Sequence, residues 1–246
     1  MTMRARPLQQ PTIGILGGMS NEATGAYYQL VNQGLNARLG GWDNAEVVIV
    51  SVNFGNIEHF VRQSEWDMAA AYVADKLDRL ERAGVDVIAC VSNTMHRVVE
   101  PLMQTRRTPF IHIADPTGAA IRARGLTRVA LLGTAPVMVS EGLAERYRTR
   151  FGFEVMAPSA EDRRLVDRVI FDELVRGKVQ PDSKAAYLRI ISGLKAQGAQ
   201  GVILGCTEIF LLVSQADLGE FPVFDTTALH VGALVDFAAE RIAAPA

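Results

Sequence analysis

One stretch of this chain occurs twice, and the repetition requires two copies of the same layered unit. Gly84-Val85-Asp86-Val87-Ile88-Ala89-Cys90-Val91-Ser92-Asn93-Thr94 lies without a gap over Gly198-Ala199-Gln200-Gly201-Val202-Ile203-Leu204-Gly205-Cys206-Thr207-Glu208. Each copy is a glycine, an apolar strand-like run, then a small nucleophilic side chain and polar residues suited to opening a helix. Ser92 therefore stands opposite Cys206 at an offset of 114. Ile13 to Gly17 resembles Val129 to Gly133 at an offset of 116, and Pro109 to His112 echoes Pro222 to Asp225 at 113. If the two halves face each other, one cleft holds a hydroxyl on one wall and a thiol on the other. That arrangement suits a carbon that exchanges a proton from both sides.

Runs rich in Val and Ile alternate with amphipathic stretches, the pattern of an α/β fold in which helices cross over parallel strands. Strands are expected at Thr12 to Leu16, Glu46 to Val52, Val85 to Val91, Pro109 to Ile113, Arg128 to Leu132, Phe153 to Met156, Gly201 to Leu204 and Pro222 to Phe224. They divide into two doubly wound lobes, each with a four-stranded, mainly parallel sheet. A helix carrying Met68, Tyr72, Val73, Leu77 and Leu80 on one stripe ends at Gly84, where a left-handed cap is expected. The lobes span 12–122 and 123–225, with a last helix over 226–243 packing back on the first. Ligands of open α/β sheets sit at the carboxyl ends of the strands, which places the site in the cleft between the lobes.

Composition narrows the function. With 49% hydrophobic and 21% charged residues and a net charge of −2, the chain has no polyanion-binding surface, so no nucleic-acid partner is expected. Ile13 to Leu16 is too short for a secretory core and no later run reaches membrane-spanning length. A cytoplasmic protein without a membrane partner is expected, with a frayed N-terminal tail before Thr12. The cysteines are Cys90 and Cys206 alone, which excludes a disulfide framework and leaves reduced thiols. No His/Cys/Asp spacing matches a metal site. The loop Gly14 to Met19 lacks the G-x-G-x-x-G spacing of a dinucleotide site and suits the approach of backbone to a small anion. No G-x-S-x-G elbow of a serine hydrolase occurs.

Cys206 follows an apolar strand and precedes an expected helix near Thr207, whose dipole would favour a thiolate and lower the thiol pKa. Ser92 is too weak an acid to be a resting base, so the two walls of the cleft are unequal. Ser-Asn-Thr is also what a plain helix cap looks like, and Cys90 reads as core. Asn93, Thr94, Thr207 and the neighbouring backbone amides form a set of neutral donors for a carboxylate. Arg62 and Lys178 are candidates to pair with a second carboxylate. His96 and His112 read as buried histidines rather than ligands.

These residues carry a resemblance. Through Ile13 to Met19 (IGILGGM), Ser92 to His96 (SNTMH), His112 to Asp115 (HIAD), Leu132 to Thr134 (LGT), Leu204 to Ile209 (LGCTEI) and Phe224 to His230 (FDTTALH), the chain resembles the cofactor-independent aspartate/glutamate racemases over nearly its full length. It is most similar to the bacterial branch acting on L-aspartate and L-glutamate, in which a hydroxyl residue replaces the first catalytic cysteine. The resemblance implies a pseudo-twofold cleft, no pyridoxal phosphate or other cofactor, a small amino acid as substrate and a homodimer. It makes Cys206 the base for the L enantiomer and Ser92 the group on the opposite face, with turnover favouring the L to D direction. Asn93, Thr94 and Thr207 match residues that bind the α-carboxylate, Met19 lies in the matching glycine loop, and Glu208 and His230 match residues beside the catalytic pair that tune the thiol. The chain departs from the pattern at Val137, where many members carry threonine, and at Asn53, where an acidic residue is common; both bear on the distal pocket. Two alternatives share the scaffold: a single-cysteine decarboxylase or lyase, and a carboxylate-binding protein with little or no turnover.

Overall fold

We describe residues 10–243 from a computed structural model; the expected frayed tail lies, up to residue 9, outside the described residues. Seven strands, β1 (Thr12–Gly17), β2 (Glu46–Ser51), β3 (Val87–Cys90), β4 (Arg128–Gly133), β5 (Glu154–Met156), β6 (Val202–Gly205) and β7 (Val223–Asp225), form two sheets. Their orders are β2-β1-β3 and β5-β4-β6-β7, and every pairing is parallel. Parallel strands need long crossovers, and helices supply them on both faces. Both faces being covered, β3 and β6 are buried throughout and read as unbroken apolar runs.

Side chains alternate between the faces. Leu16, Ile88 and Cys90 pack with Leu77 and Leu80 of the helix Trp66–Arg82, while Ile13, Ile15, Val87 and Ala89 pack with Tyr27 and Val31 of the helix Asn21–Leu39. The repeat persists in the register. Leu16 pairs with Cys90 in the first sheet and Leu132 with Leu204 in the second, and these pairs are separated by the same offsets, 116 and 114, that relate the two halves of the sequence.

The first sheet has three strands rather than four. The expected strand at Pro109 to Ile113 contributes a single bridge, Ile88 with Phe110. Beyond it, imidazoles take the backbone groups a ladder would use. His230 Nε2 donates to the Ile111 carbonyl at 2.8 Å, His96 Nε2 accepts from Ile113 N–H at 3.1 Å, and His112 Nδ1 accepts from Ala114 N–H at 3.1 Å. The chain then enters the helix Ala114–Ala123.

The C-terminal helix Thr226–Ala243 starts directly after β7, yet Val231, Leu234 and Val235 bury among Ile13, Ile15 and Tyr27 of the other lobe. Each such side chain contributes roughly 1.5–3 kcal/mol, so the last helix joins the two halves by packing. Among the described residues no helix is long and apolar enough to cross a membrane.

Candidate active site

A cleft opens at the carboxyl ends of β1, β3, β4 and β6, and the residues just past each strand line it: Met19, Ser92 to Thr94, Thr134, and Cys206 to Glu208. Gly18 makes the first of these turns possible. Its φ is +88°, and a Cβ there would fall 2.4 Å from the Val52 carbonyl oxygen, so a side chain at this position would collide with β2's continuation. The turn carries Met19 into the cleft and leaves Ser20 as the N-cap of the helix Asn21–Leu39, its hydroxyl accepting from Ala23 N–H at 3.3 Å.

The thiol wall is built around a carboxylate. Cys206 Sγ donates to Glu208 Oε2 at 2.9 Å, Thr207 Oγ1 donates to the same oxygen at 3.0 Å, and Ser20 Oγ donates to Oε1 at 2.6 Å. Glu208 is 1% exposed, and three donors satisfy a charge that would otherwise be costly to bury. Burial, and then the adjoining Glu208 carboxylate, hold the Cys206 thiol well above the ordinary cysteine range, while the Glu208 backbone N–H bonded to the sulfur pulls the other way. The expectation of a lowered pKa is thus reversed. No long helix follows Cys206: the chain turns and forms only a three-residue 3₁₀ segment, Ile209–Leu211. A full macrodipole is missing, and a negative side chain sits where positive potential was expected.

The hydroxyl wall differs. Ser92 Oγ accepts from Met95 N–H at 3.3 Å, and the following helix begins only at His96; the serine caps a turn ahead of the helix. His96 orders that turn. Its Nδ1 donates to the Ser92 carbonyl at 2.7 Å while Nε2 accepts from Ile113 N–H, which fixes a neutral ring with its proton on Nδ1. Burial and the adjacent His112 and His230 hold its pKa well below the usual histidine value. Among the described residues, no carboxylate or imidazole nitrogen bonds to the Ser92 hydroxyl.

The candidate carboxylate donors bond across the lobes. Asn93 Nδ2 donates to Thr226 Oγ1 at 3.1 Å, and Thr94 Oγ1 meets Thr134 Oγ1 at 2.9 Å. The Thr207 hydroxyl proton is spent on Glu208. Of two protons in the Thr94–Thr134 pair one is spent between them, which leaves one aimed elsewhere.

The remaining candidates sit apart from the lining. Arg62 is exposed, bonded to Glu58 Oε1 at 3.3 Å and Asp167 Oδ2 at 3.2 Å, with its guanidinium 4.4 Å from the Phe171 ring centre. Lys178 is exposed, just beyond the 3₁₀ turn Leu174–Arg176. His230 is fully buried behind the cleft, accepting from Tyr27 Oη at 2.9 Å, and burial takes its pKa down to about 4. Cys90 is core, and burial pushes its thiol up. Val137 packs under the second sheet, and Asn53 caps the helix Phe54–Gln63; neither lines the cleft. Among the described residues there is no cluster of three or more metal-ligating side chains.

Sequence reasoning missed Ser20 and the apolar wall of Phe54, Ile57 and Val61 from one lobe and Ile170, Phe171 and Val175 from the other. Ser20 had a detectable signal, since a serine before an amphipathic helix is a cap. The apolar wall had none, because core and pocket residues share one composition.

The chain compares well with known proteins over nearly its whole length. It is 40% identical to a candidate Asp/Glu racemase from Yersinia pestis, covering 93% of this chain and 99% of that one with a TM-score of 0.84. The aspartate racemase homologue PH1733 from Pyrococcus horikoshii OT3 matches at 31% identity over 93% and 99% of the two chains, TM-score 0.76. The broad specificity amino-acid racemase RacX of Bacillus subtilis is 23% identical over 88% of this chain and 93% of its own length. The family model for Asp/Glu/hydantoin racemases matches residues 16–234, a span that takes in Ser92 and Cys206 and the strand-end turns that carry them. The chain belongs to the Asp/Glu/hydantoin racemase family, isomerases that work without pyridoxal phosphate.

Proposed function

We propose that this protein racemises a free amino acid by moving its α-proton between Cys206 and Ser92, with Glu208 as the proton partner of the thiol. The observation that carries this reading is the Cys206–Glu208 hydrogen bond in a cleft that Ser92 also lines. Burial, and then the adjoining carboxylate, keep the proton on sulfur at rest, and Glu208 Oε2 is the acceptor within hydrogen-bond reach of it. Passing that proton from Sγ to Oε2 creates a thiolate without changing the net charge of the pair. The thiolate takes the α-proton from one face and becomes a thiol again, and the Ser92 hydroxyl delivers a proton to the other face. Solvent returns a proton to the Ser92 alkoxide while Glu208 releases the one it took from Sγ, which restores the starting state. Negative charge from the broken C–H bond flows into the α-carboxylate. Donors aimed there, from Asn93, the Thr94–Thr134 pair and the backbone amides of the turns, bind the transition state more tightly than the ground state.

The resemblance names L-aspartate and L-glutamate first, and the RacX relative is described as broad in specificity. Incubation in D₂O with each enantiomer of the common amino acids tests the activity directly. Deuterium should enter the α-position with wild type and fail to enter with Cys206→Ala. No exchange into any amino acid would end this reading.

A further inference from the structure

Resting on that racemase reading, we infer that the cleft selects a neutral, apolar side chain rather than a second carboxylate. The apolar part of the lining is made of Phe54, Ile57 and Val61 on one lobe and Ile170, Phe171 and Val175 on the other, and Ile170 shares a core cluster with Cys206. Phe54 and Phe171 stack across the gap, 6.4 Å between ring centres and 9° from parallel. A carboxylate placed here would lose its water and gain no cation. Among the described residues, no lysine or arginine lines this cavity, whose charged members are Glu58 and Glu208; Arg97 and Arg146 line the neighbouring cavity that shares Asn93 and Thr94 with it. Arg62 touches this wall at the Phe171 ring, but it is shared between Glu58 and Asp167. Glu58, Glu208 and Arg62 together leave one net negative, which opposes an anionic substrate group. Glu58 in turn is already paired, so it offers little to a cationic side chain. An aliphatic or thioether chain needs no partner and gains from every methylene it buries.

The test compares α-deuterium exchange of L-methionine and L-leucine with that of L-aspartate, L-glutamate and L-lysine, alongside the rise in melting temperature each produces. Exchange with methionine or leucine at a kcat/KM at least tenfold above aspartate and glutamate is expected, with thermal stabilisation in the same order. Val175→Lys, at a half-buried position on the rim of this wall, should shift the preference toward glutamate by tenfold or more. Faster exchange of aspartate, glutamate or lysine in wild type would overturn the inference while leaving the racemase reading intact. Absence of all exchange would defeat the racemase reading, and the thermal shifts would still decide which side chain the cleft prefers.

Discussion

Cys206 and Glu208, two residues apart, share one hydrogen bond of 2.9 Å in a cleft that Ser92 also lines. Burial, and then this carboxylate, raise the thiol pKa, and the same carboxylate accepts the thiol's hydrogen bond.

Replacing Glu208 with Gln should separate these two effects. The thiol pKa should fall, read as faster alkylation of Cys206 by iodoacetamide at neutral pH, while α-proton exchange drops by about 10²–10⁴, the usual worth of a general acid or base. Faster alkylation with undiminished exchange would show that Glu208 only holds the turn in place.

Ser92→Cys should turn an unequal cleft into an equal one. Enantiomers have the same free energy in water, so kcat/KM for racemisation is equal in both directions whatever the walls are made of; the expected L to D bias belongs to kcat and KM taken separately and to isotope uptake. A thiol, with an ordinary pKa of about 8.5, gives up its proton far more readily than an alcohol. Deuterium uptake into the D enantiomer should rise tenfold or more. An unchanged rate would mean that Ser92 is not the group on that face.

Three buried histidines should make the fold sensitive to acid. Burial, followed by the adjacent Arg146, takes His112 down to about 3; burial takes His230 to about 4 and His96 well below its usual value. In the unfolded chain each protonates near 6.5. Between those limits the unfolded state binds more protons, so stability falls as pH falls, by up to about 4 kcal/mol per pH unit when all three contribute. Melting temperatures measured from pH 7 to pH 4.5 should drop steeply below about pH 6.5, and His112→Gln should flatten the curve. A flat profile in wild type would show that these rings are charged or exposed.

Gly133 and Gly205 face each other across β4 and β6 at the edge of the cleft. A Cβ on Gly205 would lie 2.9 Å from the Leu132 carbonyl oxygen and 2.6 Å from Leu131 Cδ1. The side chain can move but the carbonyl cannot without disturbing the ladder. Gly205→Ala should cost about 1–3 kcal/mol, the range for overpacked cores, read as a lower urea midpoint at unchanged slope. A midpoint equal to wild type would mean that the strands can spread there freely.

The parallel α/β layering was legible along the chain because buried strands and amphipathic helices leave different periodicities. The first sheet's fourth strand was not, since Pro109 to Ile113 has the composition of a strand and loses its ladder to its own His112 and to His96 and His230, which come from elsewhere in the chain. Arg62 and Lys178 were plausible carboxylate partners by residue type alone. Their placement depends on which surface each helix or turn shows to the cleft.

By itself the sequence determined the repeat, and with it the equivalence of Ser92 and Cys206 just past β3 and β6, because similar strand patterns at offsets of 113 to 116 build the same parallel pairing, β1 with β3 and β4 with β6, in each half. Only the tertiary structure decided the charge state of the thiol and the character of the distal wall. The first follows from burial and from Glu208, which Ser20 of the other lobe also bonds, and the second from Phe54 and Phe171, which meet across the lobes. Electrostatic energy and burial are set by distance in space, which the order of residues along a chain does not contain.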